Sequence, residues 1–147
     1  MTNIGESATI YAMKKSVLSI IILSLITLGI YIPIWFLLQS RFINRFSQNS
    51  TFDRSLPILA LIVAIAPMLM VFSWAYFNIP SEYLLDQIIS ISNLAFVVII
   101  LKMSFAVRRI FIDHYASSEG RVFPISRVAT FFFTIYYLQY KMNRLPA

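Results

Sequence analysis

The sequence predicts an all-α integral membrane protein: a central transmembrane helical hairpin plus two outer apolar segments, each either a full span or a re-entrant or interfacial element. Three observations predict it. Hydrophobic residues make up 59% of the 147 and charged residues only 12%, whereas soluble domains carry about 25% charged residues. The apolar residues gather in four runs, at about 17–38, 56–77, 84–107 and 123–140, within a single helical membrane domain covering 1–147. Lysines and arginines stand at the ends of those runs, where the positive-inside rule places them.

The first run is free of charge from 16 to 40, and a crossing needs about 20 residues. Gly29 and Pro33 lie inside it, however, and both weaken a helix. Gly29 suits a left-handed C-cap, and a second helix restarts near Pro33. Tyr31 and Trp35 then fall near an interface. Lys14 and Lys15 ahead of this run mimic a secretory signal, but the run is too long and lacks a small-x-small cleavage site, so it is expected to be retained. Between 39 and 54, Phe42, Ile43 and Phe46 share one helical side, with Arg41 and Arg45 toward the other. That pattern fits an interfacial helix on lipid headgroups or a docking helix.

The second run, 55–81, is the clearest span. Ser55 is the expected N-cap, Pro57 suits the first turn, Pro67 kinks the middle, and Asn78 with Pro80 gives a stop. The third run starts near Leu84 and reaches about Val107. Glu82 and Asp86 occupy its first turn, where the helix dipole favours negative charge. The fourth stretch is uncharged only from 128 to 140. As a helix it measures about 20 Å, short of a hydrocarbon core about 30 Å thick.

Charge orients the hairpin. The loop 78–86 holds Glu82 and Asp86 and no basic residue, so it faces outward. Arg41, Arg45, Arg54, Arg108, Arg109 and Arg121 then lie inside. If both outer segments cross, Lys14, Lys15, Lys141 and Arg144 end up outside; if neither crosses, all twelve Lys and Arg lie inside. A faint internal echo bears on this. Leu38-Gln39 precedes Arg41 and Asn44-Arg45, and Leu138-Gln139 precedes Lys141 and Asn143-Arg144. Each set follows an Ile-Tyr pair, at Ile30-Tyr31 and Ile135-Tyr136.

Chemistry is sparse. The chain has no cysteine and a single histidine, His114. Adjacent helical residues diverge by about 100°, so Asp113 is expected to pair with Arg109 rather than work with His114. No phosphate-binding glycine loop or nucleophile elbow is present. No catalytic, cofactor or metal residue is therefore expected. The net charge of +6 does not imply nucleic acid, because the basic residues cap apolar runs instead of forming a broad wet surface; they suit anionic headgroups on the cytoplasmic side. Asn93 lies near the centre of the third run, where an amide needs a partner and interhelical hydrogen bonding is the usual answer.

Thr27-Leu28-Gly29-Ile30-Tyr31, the following Trp35, and Asn44 after a basic residue resemble the signature of the bacterial domain-of-unknown-function family 4234. The stretch Ile135-Tyr136-Tyr137-Leu138-Gln139-Tyr140-Lys141-Met142-Asn143 resembles the close of that family. The resemblance implies a small bacterial inner-membrane protein and lends no substrate or catalytic residue. Ile32-Pro33 departs from the glycine that many relatives carry after the tyrosine.

Gly29, Tyr31, Pro33, Trp35, Arg41, Asn44, Arg45, Asn93 and Asn143 are the candidate structural or partner-contact residues. The expected function is that of a non-catalytic accessory or scaffold subunit that binds other membrane subunits. A small homo-oligomeric transporter or channel built around Asn93 and the broken first segment is the alternative.

Overall fold

The computed structural model describes residues 15–47, 51–77, 81–118 and 124–144. Lys14, the sequence stop at Asn78 and Pro80, and Arg121 lie outside these. The described elements are all α-helices: α1 (Val17–Ile26), α2 (Tyr31–Arg45), α3 (Ser55–Phe77), α4 (Glu82–Ser118) and α5 (Arg127–Met142). The third and fourth are long and apolar enough to cross a membrane. With 23 residues, α3 extends about 34 Å.

The first run is two helices with a built joint. Leu28 (φ 50) and Gly29 (φ 90) both take positive φ. The Gly29 N–H donates to Ser24 C=O at 2.7 Å and the Leu28 N–H to Leu25 C=O at 3.2 Å, the two bonds of a Schellman motif. The left-handed C-cap position is thus occupied by Leu28, one residue earlier than expected, and Gly29 supplies a second positive φ. A Cβ at Gly29 would meet nothing within 4 Å, so conformation rather than space favours glycine there. Thr27 serves both helices. Its hydroxyl donates to Leu23 C=O at 2.7 Å, closing α1, and accepts the Tyr31 N–H at 3.0 Å, opening α2. Pro33 falls in the first turn of α2, where its missing N–H costs nothing. The T-x-G-I-Y pattern is therefore the chemistry of a helix break.

A straight helix would hold Lys15 and Tyr31 about 24 Å apart. Lys15 Nζ instead donates to Tyr31 Oη at 3.3 Å, so the segment bends sharply at Leu28–Gly29. From Tyr31, α2 runs unbroken to Arg45, and the amphipathic stretch expected after Gln39 is its second half. Ile43 is buried, Phe42 and Phe46 pack against the core, and Arg41 and Arg45 are exposed.

The start of α3 departs from expectation. Ser55 does not cap; it donates its N–H (2.8 Å) and Oγ–H (2.6 Å) to the Asp53 carboxylate. These two bonds hold the Asp53 carboxyl below its usual range. The turn is fully made above the pKa of a free aspartate and loosens as pH falls through the lowered value.

The run expected to end near Val107 continues as helix to Ser118. Ile100, Met103, Val107, Ile110, Phe111 and Tyr115 are buried at spacings of three and four, the stripe of a helix packed on one side. Ser117 and Ser118 are helical; Glu119 and Gly120 lie outside the described residues.

The fourth segment is also broken. Thr134 has φ 38 and ψ −114 inside α5. The Ser126 N–H donates to Tyr137 Oη at 3.0 Å, although a straight helix would separate those residues by about 16 Å. Ser126 also accepts the Ala129 N–H, capping the first half. Phe131, Phe132 and Phe133, just before the break, are exposed.

The packed core sits at one end of the α3–α4 hairpin. It joins Trp35, Phe36 and Ile43 of α2, Ala60 of α3, the buried stripe of α4, and Ile135, Leu138 and Met142 of α5. Between Ala60 and Ile100 many apolar hairpin side chains are exposed, among them Ile62, Leu69, Phe72, Ile91, Leu94 and Val98. A helix apolar all round belongs inside a large protein or in lipid.

Candidate functional site

Two places collect the residues singled out from the sequence. The first is a chain of side-chain amides at the packed end. Trp35 Nε1–H donates to Gln139 Oε1 at 2.8 Å. Gln139 Nε2 donates to Asn143 Oδ1 at 2.7 Å, and Asn143 Nδ2 donates to Lys15 C=O at 2.9 Å. Lys15 Nζ completes the set on Tyr31 Oη. Residues 128 positions apart are thereby tied together. Trp35 is 1% and Gln139 0% exposed. Buried hydrogen bonds of this kind are costly to leave unmade, so the chain clips α1, α2 and α5 into one arrangement.

This clip unites Tyr31, Trp35 and Asn143 with two residues the sequence did not single out, Lys15 and Gln139. One signal pointed to Gln139: it stands four residues before Asn143, a spacing that makes helical side chains neighbours. Basic residues nearby lie over aromatic rings, Lys141 Nζ at 5.7 Å from the Tyr137 centroid and Arg144 Cζ at 4.3 Å from Tyr140.

Asn44 stands apart and acts like a piece of backbone. Its Oδ1 accepts the Phe52 N–H at 2.6 Å and its Nδ2 donates to Phe52 C=O at 3.3 Å. That pins the connection into α3 and holds the Phe52 ring stacked on Phe36 at 6.0 Å. Asn44→Ala is expected to lower stability by about 1–3 kcal/mol, read as a lower unfolding temperature in detergent micelles. An unchanged melting curve would mean that the connection is held by Phe52 packing alone.

The second place is a cleft of about 400 Å³ between α3 and α4, lined by Leu28, Val63, Pro67, Met68, Asn93 and Phe96 among others. It brings together the break of the first segment, the proline of α3 and the central amide of α4. Asn93 is exposed and makes no hydrogen bond with the described residues, so the interhelical partner expected for it is not among them. Pro67 lies inside α3, and its place on the same cleft as Asn93 was not legible.

The acid–base candidates do not converge. Arg109 Nε lies 3.6 Å from Asp113 Oδ2, the expected i, i+4 pair. His114 packs edge-on against Phe46 and Tyr115. A further cleft near the start of α3 is lined by Asp53, Lys102 and Arg109, charges of both signs at the packed end. No family model, curated protein or solved structure matches the chain, and function is read from its own geometry.

Proposed function

We propose that this chain is a non-catalytic integral membrane protein, an accessory or scaffold subunit of a membrane complex, in which α3 and α4 cross the bilayer and the two outer segments enter from the basic side without crossing. One observation carries the reading. The hairpin displays apolar side chains in all directions while the core is confined to its basic end. Such a surface is stable in hydrocarbon and offers neighbouring helices a flat apolar face. The 10-residue α1 reaches only about 15 Å, half of a hydrocarbon core about 30 Å thick. With neither outer segment crossing, all twelve Lys and Arg share one side, as the positive-inside rule favours. The resemblance at Thr27–Tyr31, Trp35 and Asn44 adds the bacterial inner membrane as the location, and the lack of basic residues in loop 78–86 puts that loop outside.

The cleft at Asn93 favours a second reading, a small homo-oligomeric transporter or channel. Mild detergent extraction followed by native mass measurement separates the two. A hetero-complex of defined mass supports the subunit role. A pure homo-oligomer that leaks solute in liposomes, with a flux altered by Asn93→Ala, supports transport. A monodisperse monomer with no associated protein in its native membrane ends the subunit reading.

A further inference from the structure

The hairpin cleft is bordered by the Asn93 carboxamide and by the turn of α3 that Pro67 interrupts. Asn93 lies 11 residues past Glu82 and nine before Lys102, so it is about 16 Å and 13 Å of helix from the two charged positions. Its carboxamide has no hydrogen-bond partner among the described residues. Across the cleft, Pro67 sits inside α3 and lacks the N–H that would bond the carbonyl four residues earlier. That carbonyl belongs to Val63, and Val63 lines the same cleft. A donor without an acceptor and an acceptor without its helical donor thus border one space. In hydrocarbon, neither has water to turn to.

We propose that this cleft binds a lipid-soluble small molecule carrying a hydroxyl group. The hydroxyl oxygen accepts from Asn93 Nδ2 while its hydrogen is donated to Val63 C=O. A hydroxyl is the simplest group that answers both needs at once; an ester or ketone carbonyl serves only Asn93. Apart from Asn93 the lining is apolar, which suits a hydrocarbon body. A volume of about 400 Å³ falls within the range of small-molecule pockets. Leu28, held left-handed at the joint of α1 and α2, lines one side, so the break in the first segment brings an apolar side chain to the level of Asn93. The inference rests on the membrane placement of α3 and α4 and is independent of any partner subunit.

The test uses two photoreactive probes with the same diazirine-bearing hydrocarbon chain, one ending in a hydroxyl and one in a methyl group. The full chain is reconstituted in phosphatidylcholine vesicles, and resistance to alkaline carbonate extraction is measured first. Cross-links are mapped by mass spectrometry. The alcohol is expected to label peptides covering 63–71 and 89–96 about fivefold more than the alkane, the worth of one to two net hydrogen bonds. Asn93→Leu should equalise the probes and Asn93→Gln should keep the preference. Pro67→Ala, which restores the N–H facing Val63, should reduce it. Helicity by circular dichroism confirms that each variant is folded.

Equal labelling by both probes overturns the proposal and makes the cleft a seat for ordinary acyl chains. So does a preference that survives in folded Asn93→Leu. A dimer that Asn93→Leu dissociates, without any alcohol preference, assigns the cleft to a second copy instead. Extraction by carbonate would sink the membrane placement before any cross-link is read, which keeps the two failures apart.

Discussion

Trp35→Ala is expected to remove the folded protein from solution in mild detergent. Trp35 is 1% exposed, meets the Phe36 ring edge-on at 5.0 Å, and donates to Gln139 at 2.8 Å. Truncating a buried aromatic to alanine costs about 3–5 kcal/mol. Leaving the Gln139 oxygen buried without its donor adds about 1–3 kcal/mol. Against a typical total of about 5–15 kcal/mol, that sum takes most of the stability away. Trp35→Phe separates the two contributions, because it keeps a ring and removes the N–H; its loss should be smaller than that of Gln139→Leu, which also removes the bond to Asn143. The double variant should cost less than the sum, since the two residues share one bond. Thermal unfolding in detergent, followed by near-ultraviolet circular dichroism, reads all four proteins. If Trp35→Ala melts within a few degrees of the parent, the amide chain does not hold the outer segments, and the fold rests on the α3–α4 hairpin alone.

The hairpin was the legible part of this fold, because two long apolar runs need no partner to be recognised. The first break was legible too: glycine and proline announce it, although the left-handed residue proved to be Leu28. The break at Thr134 was not. The stretch 128–140 contains neither glycine nor proline, and the joint is set by contacts distant in the chain. Ile135 and Leu138 are buried in the core, and the Tyr137 hydroxyl reaches back to Ser126. The end of α4 was misplaced for a different reason. Arg108 and Arg109 close the apolar run, but leaving an apolar region does not oblige a helix to stop. The same i, i+3, i+4 stripe continues through Ile110, Phe111 and Tyr115. At the clip, Trp35 and Asn143 stood out as residues but not as partners. Gln139, which joins them, lies 104 positions from Trp35, and no local pattern carries that information. The two outer segments nevertheless echo each other in structure as in sequence, each breaking at a positive φ just before its Ile-Tyr pair.

Single cysteines are expected to place every chain connection except one on the same side of the membrane. The chain has no cysteine of its own, so each introduced thiol reports alone. Ser16→Cys, Thr51→Cys and Pro124→Cys fall outside the helices, as does Ser81→Cys, and Ala147→Cys marks the last position. In intact bacterial cells, a membrane-impermeant maleimide should label Ser81→Cys directly. The other four should react only after permeabilisation. The physical case is strongest at Lys15. A fully crossing first segment would carry Lys15 to the side opposite Arg41 and Arg45. Lys15 instead shares hydrogen bonds with both Tyr31, at the start of α2, and Asn143, at the end of α5. Crossing would break both bonds and leave an amide chain in hydrocarbon without its last acceptor. Bending at Leu28–Gly29 preserves them, and the Schellman bonds satisfy the backbone at the tip, which exposed irregular backbone in lipid requires. Labelling of Ser16→Cys from outside would show that the first segment crosses, and labelling of Ala147→Cys would show the same for the fourth. Protection of Ser81→Cys would invert the hairpin and put its basic end outside.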